Sequence, residues 1–87
     1  MKNKGPSKPD AIDNEENDSY SQEINDLLSK GIEYFNKNNF DKAIECFKNI
    51  LKIDPKNVDA LIELGNSYAY LKNYNGAIES FKKVIEL

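Results

Sequence analysis

The sequence predicts an all-α fold: two helix–turn–helix units stacked as a short α-solenoid, preceded by a disordered N-terminal tail. Three observations carry this. Gly31, Tyr34, Phe40, Ala43-Ile44-Glu45, Phe47-Lys48 and Ile50-Leu51 recur at one period of 34 residues as Gly65, Tyr68, Tyr74, Ala77-Ile78-Glu79, Phe81-Lys82 and Val84-Ile85. Leu27 and Leu61 extend the match upstream. A fixed period without insertions is the mark of a solenoid unit. Within each copy the apolar residues fall at helical spacing. Between the copies stands Asp54-Pro55-Lys56-Asn57, a stop that no helix crosses easily, because proline cannot donate the helical hydrogen bond and restricts the residue before it.

The totals narrow the class. Eighty-seven residues make one small domain. A chain this short buries a modest share of its surface, so marginal stability is expected. No run approaches the length of an apolar membrane span. Met1-Lys2-Asn3-Lys4-Gly5-Pro6 has basic residues with no apolar stretch behind them, which predicts no signal peptide and a cytoplasmic protein. Residues 1–23 carry three lysines against six acids, whereas residues 24–87 carry nine of each sign. The net charge of −3 therefore sits on the tail. Balanced repeats argue against nucleic acid, whose affinity comes largely from phosphate neutralisation.

Residues 1–20 read as the tail. They hold two prolines, a glycine and an acidic, asparagine-rich run, with Ile12 the only large apolar side chain between Met1 and Tyr20. Such a composition cannot repay the entropy of ordering. Ser19-Tyr20-Ser21-Gln22 has the form of a capping box and predicts a helix start nearby. Ile24, Leu27, Leu28, Gly31, Ile32, Tyr34 and Phe35 follow at helical spacing, and Asn36, Asn38 and Asn39 end that helix, since asparagine tolerates the left-handed conformation of a terminus. Phe40 opens a second helix, with Asp41 suited to its first turn and an apolar face of Ala43, Ile44, Phe47, Ile50, Leu51 and Ile53. The third carries Val58, Leu61, Ile62, Leu64, Gly65, Tyr68 and Leu71; Lys72-Asn73 turn the chain; the fourth carries Tyr74, Ala77, Ile78, Phe81, Val84, Ile85 and Leu87. Gly31 and Gly65 are expected to admit close approach of the following helix, with Ala43 and Ala77 as their counterparts. Gly76 should weaken the fourth helix by up to ~1 kcal/mol relative to alanine.

A helix–turn–helix of this length, with Leu-x-x-x-Gly-x-x-Tyr, an aromatic at the turn, Ala-x-x-x-Phe and Asp-Pro-x-Asn between units, resembles the tetratricopeptide repeat. Residues 24–57 match as one full repeat and 58–87 as a second that lacks its closing turn. The departures are Leu27 where tryptophan is common, Lys30 where leucine is common, and Lys72 at a turn position often held by glycine. The resemblance implies a right-handed superhelix whose concave groove, lined by the first helix of each repeat, binds peptides or protein segments. It maps that groove onto Asn25, Leu28, Ile32, Phe35 and Asn36, and onto Asp59, Ile62, Asn66, Ala69 and Tyr70. The helical period agrees, because Leu28, Ile32 and Phe35 lie beside the stripe Leu27, Gly31 and Tyr34. Some members clamp a C-terminal carboxylate of a chaperone tail with lysine and asparagine; the corresponding positions here hold Leu28, Ile32 and Glu63, none of which donates to a carboxylate, so no such clamp is expected. An apolar groove with an acidic rim of Glu33, Asp59 and Glu63 suits a hydrophobic or mildly basic partner.

Enzymatic chemistry finds no support in the residues. There is no histidine and one cysteine, Cys46, so the usual metal clusters fail and no cofactor is expected. Cys46 reads as a small, half-buried hydrophobe. Glu33 with Lys37 and Glu45 with Lys48 are spaced for solvated helical ion pairs. The alternative to a peptide-binding module is a structural unit. Ile78, Phe81 and Ile85 would have no further repeat to cover them, which points to a homodimer through the last helix or to a longer array.

Overall fold

The computed structural model describes the backbone from residue 8 and side chains from residue 20, through to Leu87. Of the tail expected over residues 1–20, residues 1–7 lie outside the described residues, and from Lys8 to Ser19 only the backbone is described. Four helices follow one another, α1 (Lys8–Asn36), α2 (Phe40–Ile53), α3 (Val58–Tyr70) and α4 (Tyr74–Glu86). No strand occurs among the described residues. α1 packs on α2, α2 on α3 and α3 on α4; α1 also touches α3, while α2 does not reach α4. The layer of α1 and α3 is therefore drawn together and the layer of α2 and α4 splayed, the curvature of an α-solenoid.

The α1 start differs from the expectation. The helix begins at Lys8, upstream of Ser19. Gln22 makes no capping box; its Nε2 donates to Asp26 Oδ1, one turn on, at 3.1 Å. Packing against the core begins at Ile24 among the described residues.

Both turns inside the repeats are built alike. Asn38 (φ 63°) and Lys72 (φ 65°) adopt the left-handed conformation. Asn39 N–H donates to the Tyr34 carbonyl at 2.8 Å and Asn38 N–H to Phe35 at 2.9 Å. Asn73 to Tyr68 and Lys72 to Ala69 repeat these bonds at 2.8 and 2.9 Å. This is the six-to-one and five-to-two pattern that closes a helix on its own last carbonyls. The helices then restart from asparagine caps. Asn57 Oδ1 accepts from Ala60 N–H at 2.9 Å and Asn73 Oδ1 from Gly76 N–H at 3.1 Å. Asn39, at the same place before α2, makes no side-chain cap.

Ala43, Phe47, Ile50, Ala60 and Leu64 form the buried cluster where α2 meets α3. Phe47 and Ile50 are fully buried, each adding roughly 1.5–3 kcal/mol of transfer free energy. The glycines do admit close approach, but their partners are rings and not Ala43 and Ala77. A Cβ on Gly31 would meet Phe47, and one on Gly65 would meet Phe81. Phe81 is thereby turned inward and does not belong to the uncovered face expected at the end of the chain. Gly76 has a packing reason too, since a Cβ there would lie 2.9 Å from Cγ of Tyr68. Two buried hydroxyls are satisfied within their own helices, Ser67 Oγ donating to the Glu63 carbonyl at 2.8 Å and Ser80 Oγ to Gly76 at 3.0 Å. Glu33 and Lys37 pair at 3.5 Å as expected. Glu45 and Lys48 do not; Lys48 Nζ lies instead 6.0 Å from the ring centroid of Tyr68 across the helix pair.

Candidate functional site

The residues that the sequence assigns to a groove stand on α1 and α3. Asn25, Asn36, Asp59, Ile62 and Tyr70 are exposed there. Leu28, Ile32, Phe35, Asn66 and Ala69 are half-buried. Leu28, Ile32 and Phe35 also pack against the core cluster, so each spends part of its surface holding the fold together. Helix α1 makes no burial distinction between Leu27 and Leu28, both half-buried. Helix α3 makes a sharp one: Leu61, Leu64 and Gly65 are buried beside an exposed Ile62.

Of these residues the structure brings Phe35 and Tyr70 into ring contact. Their centroids lie 5.2 Å apart with the rings perpendicular. Phe40 completes the group, stacked on Tyr70 at 5.2 Å and edge-on to Phe35 at 5.2 Å. The cluster thus joins the last turn of α1, the first residue of α2 and the last residue of α3. Aromatic pairs in such geometries are worth about 0.5–1.5 kcal/mol beyond the area they bury. Tyr70 nevertheless stays 65% exposed. Phe40 was not among the groove residues read from the sequence. Its signal was the aromatic at the turn, repeated as Tyr74.

Charge is sorted by layer. From Tyr20 onward α1 carries Glu23, Asp26 and Glu33 against Lys30, and α3 carries Asp59 and Glu63 with no basic residue. The lysines gather on α2 (Lys42, Lys48 and Lys52) and α4 (Lys82 and Lys83), where Asp41, Glu45, Glu79 and Glu86 nearly balance them. A count over residues 24–87 conceals this division, because Lys37, Lys56 and Lys72 in the turns offset most of the acidic excess. The α1–α3 layer is consequently the acidic one.

A second concavity lies at the opposite end of the first helix pair. It is an open cleft lined by Tyr20, Ser21 and Ile24 of α1 and by Lys52, Ile53 and Asp54 at the end of α2. No motif in these residues points to a site there. Among the described residues no group of three or more histidine, cysteine, aspartate or glutamate side chains could hold a metal ion. No described helix is long and apolar enough to cross a membrane. Cys46 is buried, more deeply than the half-burial expected of it, and that burial pushes its thiol up from the ordinary value.

Comparison with known families agrees with the repeat. The family model for the tetratricopeptide repeat matches residues 26–57 and again residues 58–87. No curated protein matches the chain.

Proposed function

The chain belongs to the tetratricopeptide repeat family, and from that premise we propose that it binds a protein segment rich in apolar and basic side chains along the α1–α3 face. Repeats of this family generally mediate protein–protein interaction. The observation that supports the finer reading is that α3, which exposes Ile62 and Tyr70, carries Asp59 and Glu63 and no basic residue. An apolar anchor would seat on Ile62 and Ala69. One lysine or arginine would meet Asp59 or Glu63, and another, about two turns or more along α3, would lie against the exposed ring of Tyr70, a cation–π contact worth about 0.5–1 kcal/mol at an exposed site. Complementary charge steers encounter and selects among partners more than it adds raw affinity. A chaperone-tail carboxylate finds no donors at Leu28, Ile32 or Glu63 and is not the ligand on this reading.

The test is fluorescence titration of the chain against three matched peptide sets, apolar–basic, apolar–neutral and apolar–acidic. The basic set should bind best and lose affinity as salt rises. Asp59→Lys and Tyr70→Ala should each weaken it, with helical content unchanged by circular dichroism. Equal binding of the acidic set, or indifference to both variants, would remove the groove assignment.

A further inference from the structure

Helices α2, α3 and α4 start in the same way. Asn39, Asn57 and Asn73 stand at their N-caps. Two residues on, α2 has Asp41 and α3 has Asp59, each a carboxylate in a first turn, where the helix dipole favours negative charge. At that place α4 has Asn75, and its first turn holds no acid. Asn75 also lies one repeat period from Asp41. It is exposed, so packing does not call for an amide there.

The residue after Asn75 is Gly76, and no other asparagine of the chain precedes a glycine. The glycine is a packing requirement, since a Cβ on it would lie 2.9 Å from Cγ of Tyr68 and 3.0 Å from Cδ2. The pair has a chemical consequence. A backbone nitrogen can attack the side-chain amide carbon of the asparagine before it, and glycine leaves that nitrogen unshielded. The Gly76 nitrogen gives its proton to hydroxide and bonds to Cγ of Asn75. The Cγ–Nδ2 bond breaks, ammonia leaves and a cyclic succinimide remains. Water then opens the ring. Addition at Cγ breaks the new bond to the Gly76 nitrogen and yields aspartate with the backbone intact. Addition at the backbone carbonyl yields isoaspartate, whose chain runs through Cγ and so carries an extra backbone carbon.

The fold holds this reaction back. Gly76 N–H donates to Asn73 Oδ1 at 3.1 Å, so the attacking nitrogen is tied into the cap of α4. The ring of Tyr68 lies against the same residue. Attack therefore waits on opening of the first turn, a local event that needs less free energy than unfolding the chain. We propose that Asn75 is a site of spontaneous deamidation gated by the Asn73 cap, and that its aspartate product supplies α4 with the first-turn acid that α2 and α3 already have. The isoaspartate product does not, because its extra carbon breaks the register of the turn.

The test holds the full chain at mildly alkaline pH and follows deamidation at each asparagine by mass spectrometry of its peptides. In urea, Asn75 should convert ahead of every other asparagine. In the folded chain it should convert more slowly than in urea. Asn73→Ala should speed the folded reaction about fivefold, the factor by which a lost side-chain cap raises the population of the opened turn. Asn73→Asp keeps an acceptor at the cap and should restore the slow rate. Asn57→Ala removes a cap from a different helix, controls for general loss of stability, and should leave the Asn75 rate near that of wild type. Asn75→Asp should melt a few degrees above wild type. Another asparagine leading in urea would overturn the site. Equal acceleration by Asn73→Ala and Asn57→Ala would overturn the gate, and an Asn75→Asp chain no more stable than wild type would overturn the role of the acid.

Discussion

A Cβ placed on Gly31 would stand 2.5 Å from Cε1 of Phe47, inside any van der Waals contact. Phe47 is fully buried, so its ring has nowhere to go. Gly31→Ala should therefore destabilise the chain by about 1–2 kcal/mol, since the strain of overpacking outweighs the ~1 kcal/mol of helix propensity that alanine contributes. Gly65→Ala meets Phe81 at 2.7 Å, but that ring is only half-buried near the end of the chain and can shift. Urea denaturation should rank the first variant clearly below the second. Equal midpoints would show that the Phe47 ring yields as easily as the Phe81 ring.

The two left-handed turn residues give the opposite sign. Lys72 holds φ 65° with a side chain that carries a steric cost there, and glycine would carry none. Lys72→Gly should raise stability by roughly 0.5–1 kcal/mol, the relief of strain exceeding the added freedom of the unfolded chain. Asn38→Gly, at φ 63°, should gain less, because asparagine already tolerates the region. A shift of the urea midpoint in both variants is the measurement, and a loss at Lys72 would contradict the strain argument.

These turns mark how far the sequence could be read. The repeat, the bounds of α2 and the proline stop were legible because each rests on local chemistry repeated in register. Asn36 to Asn39 announced a left-handed terminus, and one is there. Contacts between elements were less legible. Gly31 plainly asked for a close neighbour, but spacing could not say that the neighbour is Phe47 and not Ala43. Helix propensity alone makes Gly76 a cost, but the ring of Tyr68 lies against its backbone. Spacing pairs Lys48 with Glu45 on its own helix, whereas Tyr68 on the next helix receives it. The groove suffers from the same blindness. Leu28 and Tyr70 looked equivalent as groove residues, yet one leans on the core and the other is mostly exposed.

The asparagine caps offer a paired test. Asn57 accepts from Ala60 N–H, and its Nδ2 also donates to Asp54 Oδ2 at 3.4 Å, tying the closing turn to α3. Asn39 stands at the matching start of α2 and caps nothing with its side chain. Asn57→Ala should cost about 1 kcal/mol, within the usual range for a lost cap, and Asn39→Ala only a few tenths. Thermal unfolding of the two variants should separate by several degrees, as a 1 kcal/mol change does in a small domain. Coincident melting curves would mean that the Asn57 bond is replaced by water at no cost.

Cys46 closes the set, because the repeat provides its control. Ser80 stands at the corresponding place of α4 and donates its hydroxyl to the carbonyl four residues back. Cys46→Ser puts a hydroxyl in the same relation to the Lys42 carbonyl, so it should cost less than ~1 kcal/mol despite the burial. The thiol itself should react slowly with a thiol-specific reagent until urea unfolds the chain, since reactivity follows the thiolate. Burial raises its pKa, with Glu45 adding to the push and Lys30 opposing it. A raised folded value means that the native state holds this proton more tightly than the unfolded chain. The associated stability is complete below the unfolded thiol value and is lost as pH rises through the folded one. Wild type should therefore lose stability relative to Cys46→Ser as pH climbs above about 8.5, the ordinary thiol value. Denaturation of both proteins from pH 7 to pH 10 measures the difference, in which the lysines and tyrosines cancel. A difference that stays flat across that range would show that the thiol is not held protonated by the fold.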